Sequence, residues 1–168
     1  MKSALKFIAF AFLTLAPLST YAQSNVAHIN VQQLISEMPE VIAAQNELAK
    51  LEKDYTTQID NAFKEFQTKA QSYSVDAANQ TDVTNQARQK ELESMQTNLQ
   101  EFRDSAAQEL QKKQMDLMTP LLEKARNAIT KVGQEQGFDY VIDSSPNGGI
   151  ILADGKDLIE DVKRELGF

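Results

Sequence analysis

The 168-residue sequence contains no cysteine, no tryptophan and a single histidine, His28. Without cysteine there is no disulfide scaffold, no thiol nucleophile and no thiolate-ligated zinc. One histidine excludes a multi-histidine metal site. Six Gly and four Pro are too few turn residues for an all-β sandwich or barrel with many loops. Positive charge is also in deficit: 17 Lys and Arg face 24 Asp and Glu, a net −7, which argues against nucleic acid as a partner. No nucleophile–base pair, paired carboxylates or metal cluster stands out, so no enzyme activity and no cofactor are expected. Gly149 to Lys156 fails as a phosphate loop, because five residues separate Gly149 from Gly155 and Asp157 stands where Ser or Thr is needed. Asp139, Asp143, Asp154, Asp157 and Asp161 do not have the spacing of a calcium loop and read as turn, cap and surface residues.

The apolar run from Phe7 to Ala16 is too short to span a bilayer as a mature helix. Lys2 and Lys6 precede it, Pro17 to Thr20 break it, and Thr20-Tyr21-Ala22 is a small-x-small cleavage signal. Residues 1–22 are therefore expected to be a signal peptide cut between Ala22 and Gln23, with no Cys following for lipidation. Cleavage leaves 146 residues and, with Lys2 and Lys6 gone, moves the net charge from −7 to −9. The expected compartment is a periplasm, where no ATP is available to drive work.

What the sequence has in abundance is helix. From about Pro39 to Tyr73, Val41, Ala44, Leu48, Leu51, Tyr55, Ile59, Phe66, Ala70 and Tyr73 fall on one narrow stripe at 100° per residue. A second helix from about Asp82 to Val132 carries Leu92, Met95, Leu99, Phe102, Ala106, Leu110, Leu117 and Leu121 at alternating steps of three and four, a coiled-coil seam. The polar stretch Ser74–Thr81, with Asp76, Asn79 and Asp82 able to end or cap helices, is short enough to make the two helices an antiparallel hairpin. Around the level of Pro120, a residue expected to kink the second helix, a second apolar row of Met115, Met118, Leu122 and Ile129 signals entry into a packed body.

Both chain ends supply that body. Ala27, Ile29 and Val31 alternate as in a strand. After a helix stop at Gly133 and Gly137, Phe138–Asp143 reads as a second strand and Ile150-Ile151-Leu152 as a third. Asp157-Leu158-Ile159-Glu160 resembles a capping box opening a last helix through Leu166. About 60 residues make a marginal core, and exposed strand edges need covering, so oligomerisation through the sheet is expected. The expected division is 1–22 signal peptide, 39–118 hairpin with its tip near 74–81, and 23–38 with 119–168 as the body. The fold class is mainly α with a small β body (α+β).

The order of these features, ending in GFDYVIDSSPNGGIILADGKDLIEDVKREL, resembles the Skp/OmpH family of periplasmic chaperones across essentially the whole mature chain. The resemblance implies a homotrimer: strands of three subunits form a small β-barrel body, and three hairpin tentacles surround a cavity. It also implies an ATP-independent holdase that keeps unfolded outer-membrane proteins from aggregating. On this analogy Val26, Ile29, Val31, Tyr140, Ile142, Ile150 and Leu152 are the trimer and body residues. Well-known members have positive tentacle tips. Here residues 60–100 hold Lys64, Lys69, Arg88 and Lys90 against six carboxylates, a local −2, so contact with lipopolysaccharide or membrane is not expected. The alternative is a structural periplasmic coiled-coil adaptor or spacer, although the barrel or lipoyl-like domains and membrane anchor usual in such adaptors are missing.

Phe63 lies about 70° off the first stripe and Met115 nearly opposite the second, so both are candidates for touching a client. Met and Phe adapt to many apolar surfaces. Tyr73 and Met95, on the stripes themselves, are carried as further client-contact candidates. Pro120 is the hinge candidate.

Overall fold

Alternating side chains make Val26–Ile29 a strand, β1, in the computed structural model, which describes residues 24–146 and 148–168. The expected cleavage site at Ala22 and Gln23 lies outside the described residues. Ala27 and Ile29 are buried in the core, while Val26 and His28 lie on the other face. The expected strand does not continue to Val31. Asn30 takes an N-cap position, its Oδ1 accepting the Gln33 N–H at 2.9 Å. Asp143 Oδ1 accepts the Val31 N–H at 3.3 Å and Ser145 Oγ the Gln32 N–H at 3.1 Å. With these first-turn donors satisfied, Val31–Glu37 forms a helix, α1, that the strand-like alternation concealed.

Pro39, tolerated in a first turn, opens α2, Pro39–Asp76, whose 38 residues extend about 57 Å. A single 3-10 turn, Ala77–Asn79, leads to α3, Asp82–Glu135, of 54 residues. Asp76 ends α2 and Asn79 ends the 3-10 turn, while the cap of α3 is Thr81, whose Oγ1 accepts the Thr84 N–H at 3.2 Å, with Asp82 in the first turn. α3 runs unbroken through the exposed Pro120. The two long helices pack antiparallel along the expected stripes. Leu99 and Ala106 are buried, and Tyr55 meets Phe102 edge to face, centroids 6.1 Å apart at 72°.

Gly133 is not a helix stop. It is buried inside α3, where a Cβ would stand 2.7 Å from Val141 Cγ2. The stop is Gly137 at φ +72°: its N–H reaches the Gln134 carbonyl at 3.1 Å, and the Phe138 N–H reaches the Gly133 carbonyl at 3.0 Å. Strand β2, Tyr140–Asp143, then pairs parallel with β1, Val26 opposite Tyr140 and Ile29 opposite Asp143.

The third strand is not Ile150–Leu152. Strand β3 is Lys156–Asp157, parallel to β1 on its other side, giving the order β2-β1-β3. A chain leaving β2 must cross over before it can run parallel on the far edge, and such a connection consumes about a dozen residues. Ile150, Ile151 and Leu152 fall within that crossover. The capping box is also replaced. Leu158 is fully buried at the N-cap position of α4, Ile159–Leu166, and Asp157 Oδ1 accepts the Ile159 N–H at 3.0 Å.

The core joins Ala27, Ile29, Leu34, Met38 and Val41 to Ala125, Ala128 and Val132 of α3 and to Leu158 and Val162. Each fully buried aliphatic side chain contributes roughly 1.5–3 kcal/mol. The body therefore roots both ends of the hairpin, and beyond it, among the described residues, the long helices pack on each other. The architecture is mainly α with a small parallel sheet.

Candidate functional site

No group of three or more His, Asp or Glu among the described residues is placed to hold a metal, and no described helix is long and apolar enough to cross a membrane. The features left to act are surfaces.

The first is the outer face of the sheet. Register places Val26 beside Tyr140 and His28 beside Ile142. Val26 and Ile142 are each 39% exposed and Tyr140 61%. His28 holds the two ends of the β2–β3 crossover: its Nδ1 lies 3.2 Å from Ser144 Oγ and its Nε2 3.2 Å from the Gly155 carbonyl. Within that crossover Ile151 is fully exposed, Leu152 is 82% exposed and Ile150 is 38%. Three consecutive apolar residues in water are costly unless a partner covers them. Of the seven expected trimer and body residues, Ile29 is buried in the core of the body, and Val31 opens α1 and packs against that core.

The second surface is the arm. Phe63 and Met115 are 40% and 55% exposed, off the seam as their helical phase requires. Phe63 borders a shallow cleft between the helices with Phe66, Leu99 and Arg103. Met95 is half-buried. Tyr73 is held between the arms, its hydroxyl donating to Glu91 Oε2 at 2.6 Å and its ring under the Arg88 guanidinium. That hydrogen bond to a carboxylate holds the Tyr73 phenol above its ordinary pKa. Ile42, Val75 and Val83 are exposed apolar residues that the sequence reading passed over. The signal was present for Ile42, one residue past the stripe position Val41 and so 100° away from it.

The profile of the OmpH-like outer membrane protein family matches residues 25–166. The chain belongs to this OmpH-like family. Its members are chaperones rather than enzymes. A relative named chaperone protein Skp, from Yersinia enterocolitica, is 26% identical over 160 residues, covering 92% of this chain and 93% of its own length. The crystal structure of an OmpH-like outer membrane chaperone from Caulobacter crescentus is similar at a TM-score of 0.77 and 12% identity. That match covers 86% of this chain and 85% of the other, and extends the likeness in fold to the hairpin and body together.

Proposed function

We propose that this OmpH-like chain is an ATP-independent periplasmic holdase, delivered by cleavage of residues 1–22, that binds unfolded outer-membrane proteins in a cavity between three hairpins. The observation that carries the reading is the hairpin itself. An arm about 57 Å long bears Phe63 and Met115 exposed off its seam. Such side chains give many weak contacts, each reversible and together sufficient to hold a client.

The trimer completes the surfaces that one chain leaves bare. Val26, Tyr140, Ile142, Ile150 and Leu152 supply its contacts, and neighbouring copies cover the outer edges of β2 and β3, with which no strand among the described residues pairs. Contact with anionic lipid is not part of the proposal, because the tip region has no excess of positive charge.

Light scattering of a urea-diluted outer-membrane barrel, with and without the mature chain, tests the reading. The parent should suppress aggregation, and the Phe63→Ser/Met115→Ser pair should suppress it less while keeping the parent's mass. Equal protection by the variant removes these two residues from the client surface. No protection by the parent removes the holdase reading and favours the spacer.

A further inference from the structure

α2 ends on Asp76, a carboxylate at the negative end of a helix dipole, and its last turn contains no basic residue. That placement disfavours the helix end on its own. The compensation comes from the opposite arm. Arg88 Nη2 donates to Asp76 Oδ2 at 3.0 Å, and Gln80 Nε2 donates to the same oxygen at 2.7 Å. The Arg88 guanidinium carbon lies 4.7 Å from the centroid of Tyr73, whose negative ring face attracts the cation. Arg88 Nη1 is buried and has no acceptor among the described residues.

The contacts continue toward the body. Tyr73 donates to Glu91 Oε2, and Lys69 Nζ donates to Glu91 Oε1 at 2.5 Å. Asn85 Nδ2 donates to the Ala77 carbonyl at 3.0 Å, tying the 3-10 turn to the first turns of α3. A single chain of contacts thus runs Lys69, Glu91, Tyr73, Arg88, Asp76, Gln80, passing back and forth between the arms before ending in the turn. The arm between body and tip has separate cross-arm pairs, Lys113 Nζ on Glu47 at 2.8 Å and the Tyr55 hydroxyl on Glu109, that share no partner with each other. Of its seam Ala44, Leu99 and Ala106 are buried, and helix pairs held by a half-exposed stripe open first at their free end. Isolated surface ion pairs do little to prevent this, whereas linked groups that share partners reinforce one another.

We infer that this cluster is a clasp that locks the two helices together at the free end of the hairpin, so that the arm moves as one body about its root instead of parting at its tip. The protonation preferences agree with the geometry. Lys69 first, and then Tyr73, holds the Glu91 carboxyl below its ordinary range, and Arg88 does the same for Asp76. The tip as a whole is charge-balanced. Within residues 69–91, Lys69, Arg88 and Lys90 balance Asp76, Asp82 and Glu91, which leaves Val75 and Val83 exposed on an electrically neutral end.

Amide hydrogen exchange on the full mature chain in its assembled state tests the inference, whether or not the protein is a chaperone. Glu91→Gln removes the charged acceptor of two contacts, and Arg88→Lys removes the planar fork. Each should speed exchange of peptides within 66–95 by roughly tenfold while peptides from the core segments 27–41 and 125–132 keep the parent's rates. Tyr73→Phe retains the ring under Arg88 and should give a smaller acceleration confined to the same peptides. Tip rates within about twofold of the parent's in both charge variants overturn the clasp. So does an acceleration of tip and core alike in all three variants.

Discussion

Gly133→Ala sets two calculable effects against each other. Gly in a helix interior is about 0.8–1 kcal/mol less favourable than Ala, so in an open helix the substitution stabilises. Gly133 is buried, however, and the added methyl would stand 2.7 Å from Val141 Cγ2. Val141 cannot simply swing aside: its branched Cβ restricts χ1, and its backbone is fixed in β2 opposite Ala27. Forcing a methyl into such a contact costs about 1–3 kcal/mol. The expected net effect is a destabilisation of about 1 kcal/mol, or a fall in Tm of about 2–4 °C for a chain of this size. Thermal unfolding followed by circular dichroism measures it, at one fixed protein concentration because assembly makes Tm concentration-dependent. Val141→Ala combined with Gly133→Ala should recover at least about 0.5 kcal/mol relative to the sum of the single changes. A Tm that rises in Gly133→Ala would refute the close approach of α3 to the sheet.

Three further outcomes follow from other parts of the molecule. Ser145 is buried, its Oγ accepting from the Gln32 N–H and lying 3.1 Å from Asn30 Oδ1 and 2.5 Å from Asp143 Oδ1; Ser145→Ala should lower stability by about 1–3 kcal/mol, read as a lower urea midpoint at unchanged slope. Hydrogen bonds from Gln136 and then Lys156 pull the Asp161 carboxyl down from 3.8 to about 2. A depressed carboxylate pKa stabilises the fold above its unfolded value and loses that contribution as pH falls through the folded one, so acid should loosen α4 between about pH 4 and pH 2, and Asp161→Asn should flatten that part of the stability profile. Pro120 interrupts the hydrogen-bond ladder of α3 near the root of the arm, so Pro120→Ala should narrow arm motion, measured by spin-label distances between hairpins, and the range of client sizes held; unchanged distributions would remove the hinge.

The long elements were legible because their signal is redundant. Nine apolar positions on one stripe predict α2, and its observed limits differ from the expected ones chiefly by one turn at the tip. The body was harder to read because its elements are short and their boundaries are set by partners distant in sequence. Val31 looks like the next alternating residue of a strand, yet Asp143 and Ser145, more than a hundred residues away, supply the oxygens that let a helix begin there. Ile150–Leu152 has the composition of a strand, but parallel pairing on the far side of β1 turns it into part of a crossover. Gly133 reads as a terminator in the sequence because its two possible roles, stop and close approach, look identical until Val141 is seen against it. Among the surface candidates, helical phase alone located Phe63 and Met115. It could not show that Tyr73 is occupied by Glu91 and Arg88, since that depends on the register of the two arms.

Assembly and client binding are both read from one mass. Mature protein mixed with a urea-diluted outer-membrane barrel, passed through size-exclusion chromatography with light scattering, should elute as a soluble complex of three chains and one client. A client that precipitates beside an unbound trimer would contradict the holdase while leaving the assembly intact, and a monomeric chain with its sheet face bare would contradict both.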